Sequence, residues 1–99
     1  MEKKSAHYLL ADVKELIKQN RVSATRTALA GAAALGFDFK AMKEVVKNLE
    51  PGDLYKSMTS NIDHTIWQDV YHYPSVGAGD IYLKLSIIDD VLIVSFKEL

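Results

Sequence analysis

The spacing of apolar residues changes half-way along this 99-residue chain. In the first half they recur every three or four positions, which predicts amphipathic helices. In the second half they alternate with polar residues or form β-branched and aromatic runs, which predicts strands. Helices followed by strands are typical of an α+β domain, with N-terminal helices packed on one face of a C-terminal antiparallel sheet. A chain of this length supports one modest core, so we expect a single domain over residues 1–99.

Three helices are predicted from this spacing and from residues that begin or end helices. Ser5 is the expected N-cap of the first helix, and either Ser23 or Thr25 is the expected N-cap of the second. Gly36 should close the second helix, because glycine readily adopts the left-handed backbone conformation found there. Asp38 should cap the third helix, which we expect to stop at the following Pro-Gly pair.

Three strands are predicted in the second half, over residues 65–73, 81–88 and 91–97. The segment 74–80 contains proline and two glycines and is interpreted as a loop between strands. In the first half, residues 22–23 are interpreted as a short connector between two helices.

The last two strands are predicted to form a hairpin around Asp89 and Asp90. A symmetric two-residue turn pairs apolar residues on one face: Leu83 with Phe96, Leu85 with Val94 and Ile87 with Leu92. On the other face Tyr82 lies opposite Lys97, with Cβ atoms about 5 Å apart. An ammonium group beside a phenol favours phenolate, so the pair is suited to acid–base chemistry. A surface Tyr–Lys pair without chemical function is the alternative that spacing leaves open.

Composition excludes several classes of site. The chain has no cysteine, which rules out disulfides, zinc-thiolate sites and cysteine nucleophiles. His7, His64 and His72 are too dispersed for a helical metal pair, so we expect no metal and no cofactor. The longest apolar run is about half the length of a membrane span, and no leader pattern is present. We therefore expect a cytoplasmic protein that does not enter membranes.

The net charge of −1 conceals an excess of three positive charges in residues 1–50 and of four negative charges in residues 51–99. This balance is not that of a typical nucleic-acid-binding protein, although a short substrate needs few cations.

The run Trp67, Tyr71, His72 and Tyr73 has the residue types that stack on nucleobases. For Trp67, a place in the core is the favoured interpretation, because it lies in an alternating strand.

Three segments together resemble the motility quorum-sensing regulator (MqsR) toxin family. They are residues 53–59 (DLYKSMT), residues 63–71 (DHTIWQDVY) and residues 90–98 (DVLIVSFKE). The resemblance extends over nearly the whole chain. It implies a RelE-like fold and a ribosome-independent mRNA endoribonuclease that cleaves next to GC-containing triplets. It also implies a neutralising antitoxin with a zinc-binding, toxin-contacting domain and a helix-turn-helix DNA-binding domain.

The resemblance places the family's active-site residues on Lys56, Gln68, Tyr82 and Lys97. In such a site the 2′-hydroxyl of RNA is the nucleophile, so the enzyme needs groups that move protons and stabilise charge. Tyr82 beside Lys97 is a candidate base or acid, Lys56 and Lys97 are candidate phosphate-binding cations, and Gln68 is a candidate hydrogen-bond donor. The alternative is a non-catalytic protein-interaction or transcription-regulatory module that binds a partner through the polar face of the sheet.

Overall fold

A computed structural model describes residues 1–60, 63–75 and 79–98, and for residues 75, 79–80 and 96–98 it describes the backbone only. The helices are α1 (Leu10–Lys18), α2 (Arg26–Ala34) and α3 (Phe39–Lys47), and a short 3-10 turn follows at Pro51–Asp53. The strands are β1 (Glu2–Lys3), β2 (Val22–Ala24), β3 (Leu54–Thr59), β4 (Trp67–Ser75), β5 (Gly79–Ile88) and β6 (Val91–Glu98). The predicted α+β architecture is confirmed.

The strands form one sheet in the order β1-β3-β4-β5-β6-β2. Neighbouring strands are antiparallel, except that β2 runs parallel to β6 at one edge. One face of this sheet packs on the helices, as predicted. The helical half of the chain contributes the buried residues Val13, Ile17, Ala28, Ala32, Met42, Val45, Val46 and Leu49 to the core. The sheet contributes Tyr71, Ile81, Leu83, Leu85, Leu92 and Val94. No helix in the described ranges is long and apolar enough to cross a membrane.

Side-chain caps begin the second and third helices. The Thr25 hydroxyl oxygen accepts a hydrogen bond from the Ala28 N–H at 3.0 Å, and Asp38 Oδ1 accepts one from the Ala41 N–H at 2.7 Å. Each bond satisfies an N–H that has no partner within the helix. Gly36 has a φ of +85°, as a residue closing α2 should. These three predictions are confirmed, whereas α3 ends at Lys47, before the Pro-Gly pair.

The predicted Ser5 cap of α1 is wrong, because the helix begins only after Leu9. The preceding segment is held to the sheet by Asp69, a carboxylate that is 1% exposed. Asp69 accepts hydrogen bonds from the backbone N–H groups of His7 and Tyr8 at 3.0 and 2.9 Å, and from the Ser57 hydroxyl at 2.6 Å. With Ser5 as N-cap, the His7 and Tyr8 N–H groups are the ones from which its hydroxyl would accept a hydrogen bond, and both donate to Asp69 instead.

The predicted hairpin is confirmed. Strands β5 and β6 pair in the expected register, with Leu83 opposite Phe96 and Tyr82 opposite Lys97. Asp89 and Asp90 have φ angles of 51° and 61°. Two consecutive residues in the left-handed region form the tight turn whose twist matches that of the strands it joins.

Three short strands were absent from the sequence prediction. Residues 22–23, interpreted as a connector, lie in β2, where Val22 pairs with Leu92 of β6. Strands β1 and β3 pair with each other and extend the sheet at its opposite edge. The predicted loop over 74–80 is too long, because β4 continues to Ser75 and β5 begins at Gly79. Residues 76–78 of that prediction lie outside the described part of the chain.

Candidate active site on the open face of the sheet

The face of the sheet that is turned away from the helices is called the open face here. Lys56 of β3, Val70 of β4 and Lys84 of β5 lie side by side across it, and His72 lies beside Tyr82 in a neighbouring row. Gln68 is on the same face, two residues before Val70 and opposite Met58. Alternation along each strand therefore brings residues from separate predicted motifs onto one surface.

A pocket of about 300 Å³ opens on this face. Among the side chains that the structure describes, its lining includes Tyr55, Lys56, Met58, Val70, Tyr82 and Lys84. Of the four residues expected from the resemblance, Lys56 and Tyr82 thus share one cavity, whereas Gln68 lies on the same face outside its lining. The backbone of Lys97 is opposite Tyr82 in the register, and its side chain is outside the described part of the structure.

The Lys56 ammonium group is held in place by a carboxylate. Its Nζ lies 2.7 Å from Glu2 Oε1, and the Lys56 side chain is 24% exposed. The hydrogen bond with Glu2 is the main reason that the pKa of Lys56 is raised above its ordinary value, and the same bond lowers the pKa of Glu2. Lys56 is therefore a fixed cation at neutral pH.

Two lysines of the acidic C-terminal half, Lys56 and Lys84, lie on the open face, where Glu2 offsets one of their charges. Residues 51–99 have a net charge of −4 and contain only three basic residues, Lys56, Lys84 and Lys97. Lys56 and Lys84 flank Val70 in one row, and Lys97 occupies the register position opposite Tyr82. All three lysines therefore belong to the strands that form the candidate site. Lysines on these strands suit the binding of an anionic ligand.

Three rings form an aromatic cluster at the pocket: Tyr55 and Tyr82, which line it, and His72, which lies between them. The Tyr55 and His72 rings are stacked, with centroids 5.0 Å apart and planes at 15°. The His72 and Tyr82 rings meet edge to face at 4.0 Å. His72 Nε2 is buried and has no hydrogen-bond partner among the described residues.

Comparison with known proteins gives the chain its family. A family model described as "Motility quorum-sensing regulator, toxin of MqsA" matches residues 5–98. The chain belongs to the MqsR toxin family. One relative within it, the mRNA interferase toxin MqsR of Escherichia coli (strain K12), is 52% identical over 98 residues, which cover 99% of each chain. The resemblance expected from the sequence motifs is therefore confirmed along the whole length.

Sequence reasoning about this MqsR-family chain missed His72 and Tyr55 as neighbours of Tyr82. It had grouped His72 with Trp67, Tyr71 and Tyr73 as one aromatic run, but strand alternation divides that run between two faces. Tyr71 is buried in the core, whereas His72 lies on the open face. The period-two pattern of β4 was the signal that separates them.

The favoured core position of Trp67 is also wrong. Trp67 is only partly buried, and its ring stacks on His7 at a centroid distance of 5.0 Å, with Lys3 Nζ 4.4 Å from the ring centroid. The buried aromatic residue of this strand is Tyr71 instead. Within the described ranges, no group of three or more His, Asp or Glu side chains is arranged to hold a metal ion.

Proposed function

We propose that this protein is the toxin of a type II toxin–antitoxin system and acts as an mRNA interferase. It cleaves mRNA independently of the ribosome, next to GC-containing triplets, and the open face of the sheet is its active site. The observation that carries the proposal is the 52% identity to an mRNA interferase toxin over 99% of both chains. The shared pocket of Lys56 and Tyr82 supports the location of the site.

The reaction uses the nucleophile that RNA itself contains. The 2′-hydroxyl loses its proton and attacks the adjacent phosphorus, the bond from phosphorus to the 5′ oxygen breaks, and that oxygen takes up a proton. The products are a 2′,3′-cyclic phosphate and a 5′-hydroxyl end. The enzyme must accept one proton, donate another and stabilise negative charge on the phosphoryl oxygens, and none of these tasks requires a metal ion.

Each candidate residue has a group suited to one of these tasks. The Tyr82 phenol, opposite Lys97 in the register, is a base or an acid for proton transfer. Lys56 and Lys97 are compact cations for the phosphoryl oxygens, and Gln68 supplies an amide N–H that donates to the phosphate or the ribose. Orientation and electrostatic stabilisation carry most of the rate acceleration in this proposal.

The ion pair between Lys56 and Glu2 fits a role in phosphate binding. An ammonium group has three N–H donors, and the bond to Glu2 Oε1 uses one of them. A phosphate can therefore bind Lys56 while Glu2 still holds its side chain across the edge of the sheet. This arrangement keeps the cation in position before the substrate arrives.

The partner proposed for this toxin is an antitoxin that binds it and suppresses cleavage. The family is described as the toxin of MqsA. We therefore propose a protein of the MqsA type as the antitoxin. Following the family resemblance, we expect a partner with a zinc-binding domain that contacts the toxin and a helix-turn-helix domain that binds DNA. Because the substrate is mRNA, the complex would form in the cytoplasm.

The test is to incubate the purified protein with a defined mRNA in excess EDTA and to map the new 5′ ends. We expect cuts at discrete positions near GC-containing triplets, and at least about tenfold slower cleavage by Lys56→Met. Lys47→Met is the matched control, because Lys47 is an exposed lysine on α3, a helix that packs against α1 and α2 rather than lying on the open face. RNA binding without any cleavage would favour the non-catalytic module, and equal rates for the wild type and Lys56→Met would remove Lys56 from the site.

A further inference from the structure

Tyr55 is exposed on the open face and lines the same pocket as Tyr82. Tyr55 is 46% exposed. Of the large hydrophobic residues that are exposed in the described ranges, it is the aromatic one. Exposing so much of a tyrosine ring loses the free energy that burial would provide. Its position beside the candidate active site therefore needs an explanation other than core packing.

A β-bulge explains how Tyr55 reaches this pocket. Side chains of consecutive strand residues normally point to opposite faces, so Tyr55 and Lys56 should not share a surface. The pairing of β3 with β4 shifts between Leu54 and Lys56, and both Tyr55 and Lys56 line the pocket. Bulges commonly redirect a side chain in this way next to an active site.

Neighbouring rings hold Tyr55 in place. His72 stacks nearly parallel to it and in turn meets the Tyr82 ring edge to face. Two ammonium groups also lie close to the Tyr55 ring, Lys4 Nζ at 5.7 Å and Lys56 Nζ at 5.6 Å from its centroid. An aromatic surface that is rigid, exposed and flanked by cations has the two features that single-stranded nucleic acid requires, a stacking platform and charges for the phosphates.

We propose that Tyr55, supported by His72, is a platform on which one nucleobase of the bound RNA stacks, beside the phosphate that is cleaved at Tyr82. Every base has an aromatic face, so the platform contributes affinity and fixes the position of the strand without selecting a base. Tyr55 is the binding residue, and His72 is a positioning residue that keeps the ring flat. The inference rests on the proposed function, because it takes single-stranded RNA as the ligand.

The experiment measures binding without cleavage, using a fluorescently labelled 2′-O-methyl RNA that contains a GC triplet and has no free 2′-hydroxyl. We expect Tyr55→Ala to weaken binding by about five- to a hundredfold, and Tyr55→Phe to stay within about twofold of the wild type. His72→Ala should weaken binding, and His72→Phe should restore it. Leu29→Ala is the control, because Leu29 is 40% exposed on α2, a helix packed on the opposite face.

A second series of RNAs locates the stacked base by replacing one nucleotide at a time with an abasic site. At one position the abasic RNA should bind the wild type and Tyr55→Ala equally, because the base that the ring contacts is gone. Equal binding of the intact RNA by both proteins would overturn the proposal. The proposal would also be overturned if Tyr55→Ala weakened binding by the same factor for every abasic RNA. It would be overturned too if Tyr55→Ala weakened antitoxin binding and left RNA binding unchanged. Melting curves confirm that each variant is folded.

This test separates stacking from cleavage. If the wild type binds the methylated RNA through Tyr55 but does not cut ordinary RNA, the ribonuclease proposal fails and the stacking proposal stands. If ordinary RNA is cut but Tyr55→Ala binds as the wild type does, the stacking proposal fails and the ribonuclease proposal stands.

Discussion

The His72 ring lies edge-on against the Tyr82 ring, with centroids 4.0 Å apart and planes at 69°. This contact joins two strands, since the same two residues are direct partners in the pairing of β4 with β5. The contact places the Tyr82 ring against His72 at the pocket that both Tyr82 and Lys56 line. A group that transfers a proton in a reaction benefits from such positioning before the substrate binds.

Tyr82→Phe should lower the single-turnover cleavage rate at least about tenfold, because it removes the hydroxyl and keeps the ring against His72. Lys97→Met should do the same, and the double variant should lose less than the product of the two single losses. Tyr73→Phe, which removes a hydroxyl from a residue packed against the core, should cleave normally. Wild-type rates for folded Tyr82→Phe would contradict this assignment.

Asp69→Ala should lower the free energy of unfolding by about 3 kcal/mol. The substitution removes the buried acceptor of three hydrogen bonds and leaves the His7 and Tyr8 N–H groups without it. Urea denaturation followed by tryptophan fluorescence measures the change. Asp63→Ala is the control, because Asp63 is exposed and its Oδ1 accepts hydrogen bonds from the backbone N–H and the hydroxyl of nearby Thr65. The loss for this variant should be below about 1 kcal/mol. Similar losses for both variants would count against the role of Asp69.

Alkaline pH should destabilise the fold through Tyr71. Burial is the main reason that the pKa of Tyr71 is raised to about 12, whereas an unfolded tyrosine loses its proton near pH 10. The unfolded state is therefore favoured increasingly as pH rises from about 10 to about 12, by about 2–3 kcal/mol in total.

Urea midpoints of the wild type and Tyr71→Phe across this pH range test that slope. The variant should lose much less stability between pH 10 and 12. Some slope should remain, because burial also raises the pKa of Tyr8. An unchanged slope in Tyr71→Phe would show that other groups cause the alkaline loss.

The β5–β6 turn should be improved by Asp89→Asn together with Asp90→Gly. Both residues have positive φ angles, which Asn and Gly adopt at lower cost than Asp. We expect the free energy of unfolding to rise by about 1 kcal/mol, as measured by thermal or urea denaturation.

Gly36→Ala is the opposite case, since its φ is +85° and a Cβ there would meet no atom within 4 Å. It should destabilise through backbone strain alone.

Much of this fold follows from local sequence signals. The helix caps at Thr25 and Asp38 and the β5–β6 hairpin were predictable, because a few neighbouring residues determine each of them. The two-residue turn by itself predicts Lys97 opposite Tyr82, which is the pairing observed. The apolar pattern supported that register, since a slip of one residue would bury a lysine.

Other features depend on contacts between distant parts of the chain. Strands β1 and β2 have two and three residues, too few to show a period, and they exist because β3 and β6 offer partners. The start of α1 is set by Asp69, about 60 residues away. The place of Tyr55 beside Lys56 depends on a bulge that only pairing with β4 reveals.

The central claim is that RNA is cut on the open face by attack of its own 2′-hydroxyl, and the chemistry of the new ends tests it most directly. The measurement is mass spectrometry of a short GC-containing RNA after incubation in excess EDTA, beside the same RNA with one 2′-deoxynucleotide at the mapped cut. The account predicts a 2′,3′-cyclic phosphate, or the 3′-phosphate formed from it, and no cut at the deoxy position. Ends with a 3′-hydroxyl, cleavage of the deoxy RNA, or activity abolished by EDTA would contradict it.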